Sequence, residues 1–140
     1  MDWKACAVDD LRRYNLMKEG IKNCRERICI ARGIVTAGRN SLKKNPKRRT
    51  DTNIVDAIVE VERLKRNIKV AESLIELIDR GLSALTEKER QVLKAFYMSS
   101  EPVNMRTVKE RLGYERSSIY RFRDACLLKF TLAMYGVDSL

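Results

Sequence analysis

The sequence contains no histidine. Imidazole is the side chain that titrates nearest neutrality and a common metal ligand, so its absence removes the usual general base and a frequent zinc donor. The four cysteines, Cys6, Cys24, Cys29 and Cys126, form no CxxC pair, and no histidine is there to complete a structural zinc site. Cys24 and Cys126 fall at apolar helix positions and read as small buried thiols, and disulfides are not expected in a reducing cytosol. No metal and no cofactor is expected. Without histidine, acid–base work would fall to carboxylates, Lys, Tyr or Cys. There is no Gly-rich phosphate loop and no nucleophile elbow. Asp9 and Asp10 are the only adjacent acids, and they sit where a helix N-terminus would attract acids anyway. The chain is not expected to be an enzyme.

Proline and glycine are also scarce, two and six residues respectively, so little interrupts long helices. No run approaches the roughly 20 apolar residues of a membrane span. The first twenty residues carry Asp2, Lys4, Asp9, Asp10, Arg12 and Arg13 in place of the apolar core of a secretion signal. A protein without a membrane partner is expected, cytoplasmic in a cell without organelles and nuclear otherwise.

What the chain has in quantity is charge: 34% of residues are charged and the net charge is +10. A surplus of that size suits a polyanionic partner, whether nucleic acid, an anionic membrane surface or an acidic protein, set against a plain solubilising surface, and charge alone does not decide among them. It is unevenly spread. Residues 1–40 sum to +4, 41–50 to +5, 51–85 to −2 and 86–140 to +3. On charge, 51–85 reads as scaffold.

The apolar pattern is helical throughout. Tyr14, Met17, Ile21, Cys24, Ile28, Ala31 and Val35 alternate steps of three and four, a heptad seam within a helix over about 8–38. Residues 39–51, with Pro46 and five cations in 41–50, read as an exposed loop. A second helix over about 52–80 carries Ile54, Ala57, Ile58, Val61, Leu64, Ile68, Ala71, Leu74, Ile75, Leu77 and Ile78, with Gly81 as its cap. Two such helices make an antiparallel hairpin. The second stripe is wide enough to leave apolar surface for the C-terminal part or for a second copy. The expected architecture is all-α: a hairpin domain, 1–81, then a helix-turn-helix domain, 82–140.

That second domain opens with Thr86 and Glu89, a capping box. Val92, Leu93, Phe96 and Tyr97 supply its buried face, and Ser99, Ser100, Glu101 and Pro102 end the helix. Next, Val108 and Leu112 lie four apart, Gly113 and Tyr114 follow, and Ile119 and Phe122 lie three apart beyond a polar turn. This is the apolar spacing of two short helices crossing steeply, with Gly113 in the tight turn. Arg116, Ser117, Ser118, Tyr120 and Arg121 are expected to face outward. Residues near the start of such a helix, here 116–130, reach base edges in the major groove, where Arg bonds guanine and Ser several partners. Arg123 and Lys129 lie further along, toward the phosphate backbone. In the basic loop, Lys43, Lys44, Lys47, Arg48 and Arg49 are candidate backbone contacts, set against a plain solvated loop. Their replacement by Ser is expected to weaken binding equally for all sequences.

The run Leu85 to Leu93, then Leu112, Gly113 and Tyr114, then Ile119 to Ala125 resembles region four of bacterial sigma factors. It is more similar to small phage and prophage regulators of the ArpU and RinA type, the match covering about residues 82–132. The resemblance implies activation of phage late or packaging genes in the cytoplasm of a bacterial host, with Arg116, Ser117, Tyr120 and Arg121 at the base-reading positions. Three places depart from the pattern: Glu115 replaces the usual Ser or Thr cap, Lys109 a small residue, and Ser99–Asn104 the glycine-containing link. Beside double-stranded DNA, RNA polymerase and a second copy of the chain are candidate partners. The competing readings are a DNA-packaging adaptor like a small terminase subunit, and a helical module that binds RNA polymerase or another protein.

Overall fold

The computed structural model describes residues 1–44 and 52–139. The chain is all-α: α1 spans Trp3–Lys44, α2 Thr52–Ser83, α3 Glu87–Leu93, α4 Met105–Leu112 and α5 Arg116–Tyr135. A π-helical turn, Lys94–Met98, extends α3. Among the described residues extended pairing is limited to one isolated bridge, Asp2 with Ser139.

α1 is longer than the seam predicts at both ends. Asp2 Oδ1 accepts the Ala5 N–H at 3.1 Å, which caps the helix and starts it before Asp9 and Asp10. Those two acids therefore lie inside α1, and the Asp10 carboxylate accepts from the Tyr135 hydroxyl. At the other end, Arg39–Lys44 are helical rather than loop. Neither Pro nor Gly occurs there, and Leu42 continues the seam, half-buried. Lys43 and Lys44 thus form the last turn of α1, while Lys47, Arg48 and Arg49 lie outside the described residues.

The sequence predicts Gly81 as the cap of the second helix, but α2 runs on to Ser83. A Cβ at Gly81 would stand 2.8 Å from Met134 Sδ and 2.9 Å from Phe130 Cε2. The glycine permits a close approach of α5 rather than a turn. The chain reverses beyond it, where the Leu85 N–H bonds the Leu82 carbonyl at 3.0 Å.

The residues divide into two compact units. One comprises Met17–Ser73. There Ile28 and Ala31 of α1 pack on Ala57 and Val61 of α2, flanked by Val35, Leu64 and Ile68. Gly38 lies against Ile54, and Arg25 reaches Glu72 at 3.0 Å, so the helices run in opposite directions here. The seam residues from Met17 to Val35 are buried or half-buried, Cys24 among the half-buried ones. Ile58, predicted as part of the stripe of α2, is exposed.

The other unit comprises Met1–Leu16 and Leu74–Leu140. Its core holds Leu11, Ile78, Leu82, Leu85, Val92, Leu93, Ile119, Cys126 and Phe130. Burial pushes the Cys126 thiol up to about 11, consistent with a structural thiol rather than a nucleophile. The first four turns of α1 are fastened into this unit. Tyr14 donates to Asp79 at 2.6 Å, Asn15 Nδ2 to the Met98 carbonyl at 2.6 Å, and Trp3 stacks on Tyr135 at 4.9 Å.

Candidate nucleic-acid interface

The site is built on three caps. Thr86 Oγ1 accepts the Glu89 N–H at 3.3 Å, and Glu89 Oε1 accepts the Thr86 N–H at 3.0 Å. This is the predicted capping box, and it fixes where α3 begins. Asn104 Oδ1 accepts from the Arg106 and Thr107 N–H groups at 3.1 and 3.4 Å and starts α4. That cap is absent from the sequence-based expectations, although an Asn directly before an apolar-periodic run is its signature. α4 ends at Gly113, which takes φ 70°, ψ 20° and gives its N–H to the Lys109 carbonyl at 2.8 Å. A side chain there would carry the left-handed penalty, of order 1–2 kcal/mol. Glu115 then stands extended at the start of α5, and its side chain makes no capping bond.

Val108, Leu112 and Ile119 are buried, and Phe122 is half-buried, edge-on to Tyr114 at 5.6 Å between ring centroids. Lys88 Nζ lies 2.9 Å from the Tyr114 hydroxyl and 4.3 Å from its ring centroid. Lys109, at the position that departs from the sigma-like pattern, is exposed.

The outward positions of α5 separate into two groups. Arg116, Ser117, Ser118 and Arg121 are all exposed within its first two turns. None of these four enters an ion pair among the described residues, although the Arg116 guanidinium lies 6.0 Å from the Tyr120 ring. The other three predicted contacts are engaged within the unit. Tyr120 is half-buried against Phe96 at 5.9 Å. The Arg123 guanidinium stacks 5.1 Å from the Phe96 ring and 5.0 Å from the Tyr120 ring, and bonds Asp124 at 2.9 Å. Lys129 lies 2.8 Å from Glu89, which is only 7% exposed. The Lys129 ammonium, then the Thr86 N–H, hold the Glu89 carboxyl below its usual range, and Glu89 in turn raises Lys129.

A further feature has no signal in the sequence. The π turn opens a shallow groove against α4, lined by Lys94, Ser99, Asn104, Thr107 and Arg111. Glu101 lines it as well, so two cations and one carboxylate stand beside the capped start of α4.

Comparison with known protein families, with characterised proteins and with solved structures finds no match to this chain.

Proposed function

We propose that the chain is a non-catalytic, sequence-specific double-stranded DNA-binding protein that regulates transcription, with α4 and α5 acting as a helix-turn-helix. One observation carries the reading. Val108 and Leu112 of α4 and Ile119 of α5 are buried on either side of the left-handed Gly113, while Arg116, Ser117, Ser118 and Arg121 stand exposed on the first two turns of a 20-residue helix. A helix that enters the major groove does so with residues near its N-terminus, and Arg and Ser suit base edges and phosphates. Tyr120, Arg123 and Lys129 act in this scheme through the set of α5 rather than by touching bases, since Phe96, Asp124 and Glu89 hold them. Assignment to phage gene control rests on the sigma-like resemblance of 85–125 alone.

The test is selection of binding sites from a random duplex pool, with Arg121→Ala run beside the wild type. Convergence on a motif that the variant loses or relaxes supports the reading. Binding without a motif, disappearing as salt rises, would refute it and favour a packaging adaptor or a protein-binding module.

A further inference from the structure

The charge surplus does not sit where the α4–α5 crossing does. By sequence, residues 17–73 hold 15 basic and 7 acidic side chains, a net of +8, and the remainder of the chain holds 14 and 12, a net of +2. Within 17–73 the cations are sorted by face. The α1 seam, Ile21, Cys24, Ile28, Ala31 and Val35, packs toward α2. On one flank of that seam lie Lys18, Lys22, Arg25, Cys29, Arg32, Thr36, Arg39 and Lys43. Their steps alternate four and three, so they keep to the same flank as the helix advances. All eight are exposed, and none is an acid. The opposite flank, Asn23, Arg27, Ile30, Ile34 and Ala37, holds one cation.

The ion pairs leave much of this stripe open. Arg25 is held by Glu72 at 3.0 Å, and Lys22 lies 3.9 Å from Glu19. Arg32, Arg39 and Lys43 enter no ion pair among the described residues. From Lys18 to Lys43 the stripe runs roughly 37 Å at the helical rise, close to the ~34 Å of one duplex turn.

We propose that this stripe is a sequence-independent contact for the phosphate backbone of double-stranded DNA, with Arg32, Arg39 and Lys43 as its principal cations. The inference rests on the DNA-binding reading above and adds a second surface to it. A row of cations without acids complements a line of phosphates and displaces their counterions, which gives affinity without base preference. An anionic membrane fits less well. A helix lying in a bilayer surface buries a broad apolar face, whereas the α1 seam is covered by α2 and the far flank offers Ile30 and Ile34 beside Asn23 and Arg27.

The test uses the full chain with Arg32→Gln, Arg39→Gln and Lys43→Gln combined, Gln being a good helix former, and circular dichroism to verify the fold. Affinity for a random-sequence duplex is measured from about 50 to 200 mM salt. The expected result is a salt slope shallower by roughly 0.9 for each phosphate no longer neutralised, up to about 3 in all. Restoring charge with Arg32→Lys and Arg39→Lys in a Lys43 background should recover most of it. An unchanged slope overturns the stripe. So does loss of binding to phosphatidylserine vesicles in the Gln variant while its duplex slope stays at the wild-type value. Arg121→Ala, run in parallel, separates the two proposals. If no duplex is preferred but the Gln variant flattens the slope, the base-reading role of α5 fails and the stripe stands. If a preferred duplex exists and the slope does not move, the stripe fails and the role of α5 stands. No duplex binding at all refutes both.

Discussion

The two compact units own nearly equal numbers of cations, 15 and 14, but unequal numbers of acids, 7 and 12. In the unit that contains α3 to α5, three of them are held against other side chains and join the helices. Arg90 bonds Glu87 at 2.6 Å and two backbone carbonyls of the α2–α3 turn, Arg123 is stacked and paired, and Lys129 neutralises Glu89. These groups position helices. In the unit of 17–73 the ion pairs, Lys22 to Glu19, Arg25 to Glu72, Arg27 to Glu60 and Lys65 to Glu62, lie at the surface, where such pairs contribute ~0–1 kcal/mol. Several cations beside them stay open. The difference teaches that a net charge of +10 cannot be credited to the helices that look like a reading head. Under the proposed function, α5 supplies discrimination through a few side chains, and the helix pair supplies affinity through many.

Their cores differ as well. The unit that contains α3 to α5 buries large side chains such as Leu11, Ile78, Leu93, Ile119 and Phe130 to under 2% exposure, whereas the buried residues of 17–73 are Ile21, Ile28, Ala31, Ile54, Ala57 and Val61, no isoleucine among them below 6%. The comparison can be broken most sharply by deleting residues 1–16. These supply Leu11 to the core and the bonds from Asp10, Tyr14 and Asn15. Hydrogen exchange on the shortened chain should show α3 to α5 losing protection to the level of an unfolded segment, since several kcal/mol of packing go at once. Retained protection would mean that the unit stands on residues 74–139 alone. Next in size is Phe130→Ala, expected to cost about 3–5 kcal/mol in denaturant unfolding, against about 1 kcal/mol for Ile28→Val in the thinner core. Equal costs would erase the contrast between the units. Gly81→Leu should lose a few kcal/mol, because Met134 and Phe130 already occupy the space.

A smaller effect concerns pH. Glu89 is held below its ordinary carboxyl value of 4.5 by Lys129 and by the Thr86 N–H. A carboxyl depressed in the folded state adds stability that is complete above its unfolded value and is lost as pH falls through the folded one. Stability should therefore decline below about pH 4.5, with a part of that decline absent in Glu89→Gln. An identical acid profile for the variant would show that the joint between α3 and α5 does not depend on this charge.

The features legible in the sequence are those set by local period or local chemistry. The three-four alternation from Tyr14 to Val35 places the seam of α1, and Thr86 with Glu89 places the start of α3. What escapes depends on partners distant in the chain. Gly81 reads as a stop until Phe130 and Met134 arrive beside it. Lys129 reads as a free cation until Glu89, forty residues earlier, is buried beneath it. Tyr120 reads as outward, and Arg123 as a cation toward the phosphate backbone, until Phe96 lies against both. The extra turns of α1 escape for a different reason: a run of Arg, Asn, Ser and Lys looks like loop by composition, yet nothing in Arg39–Lys44 obstructs a helix. The outward positions of Arg116, Ser117, Ser118 and Arg121 follow from helix phase alone, and the structure places all four in the open.

The central claim is that discrimination between sequences resides in α5. Its most direct measurement is the ratio of affinities for a selected duplex and a scrambled one of equal length, at one salt concentration, for the wild type and for Arg116→Ala with Arg121→Ala. The account predicts that the double variant's ratio falls toward one, as the loss of two bidentate arginine contacts worth about 1–3 kcal/mol each requires. A ratio that stays at the wild-type value, with affinity for both duplexes reduced alike, would contradict it and make those arginines part of the charge rather than readers of bases.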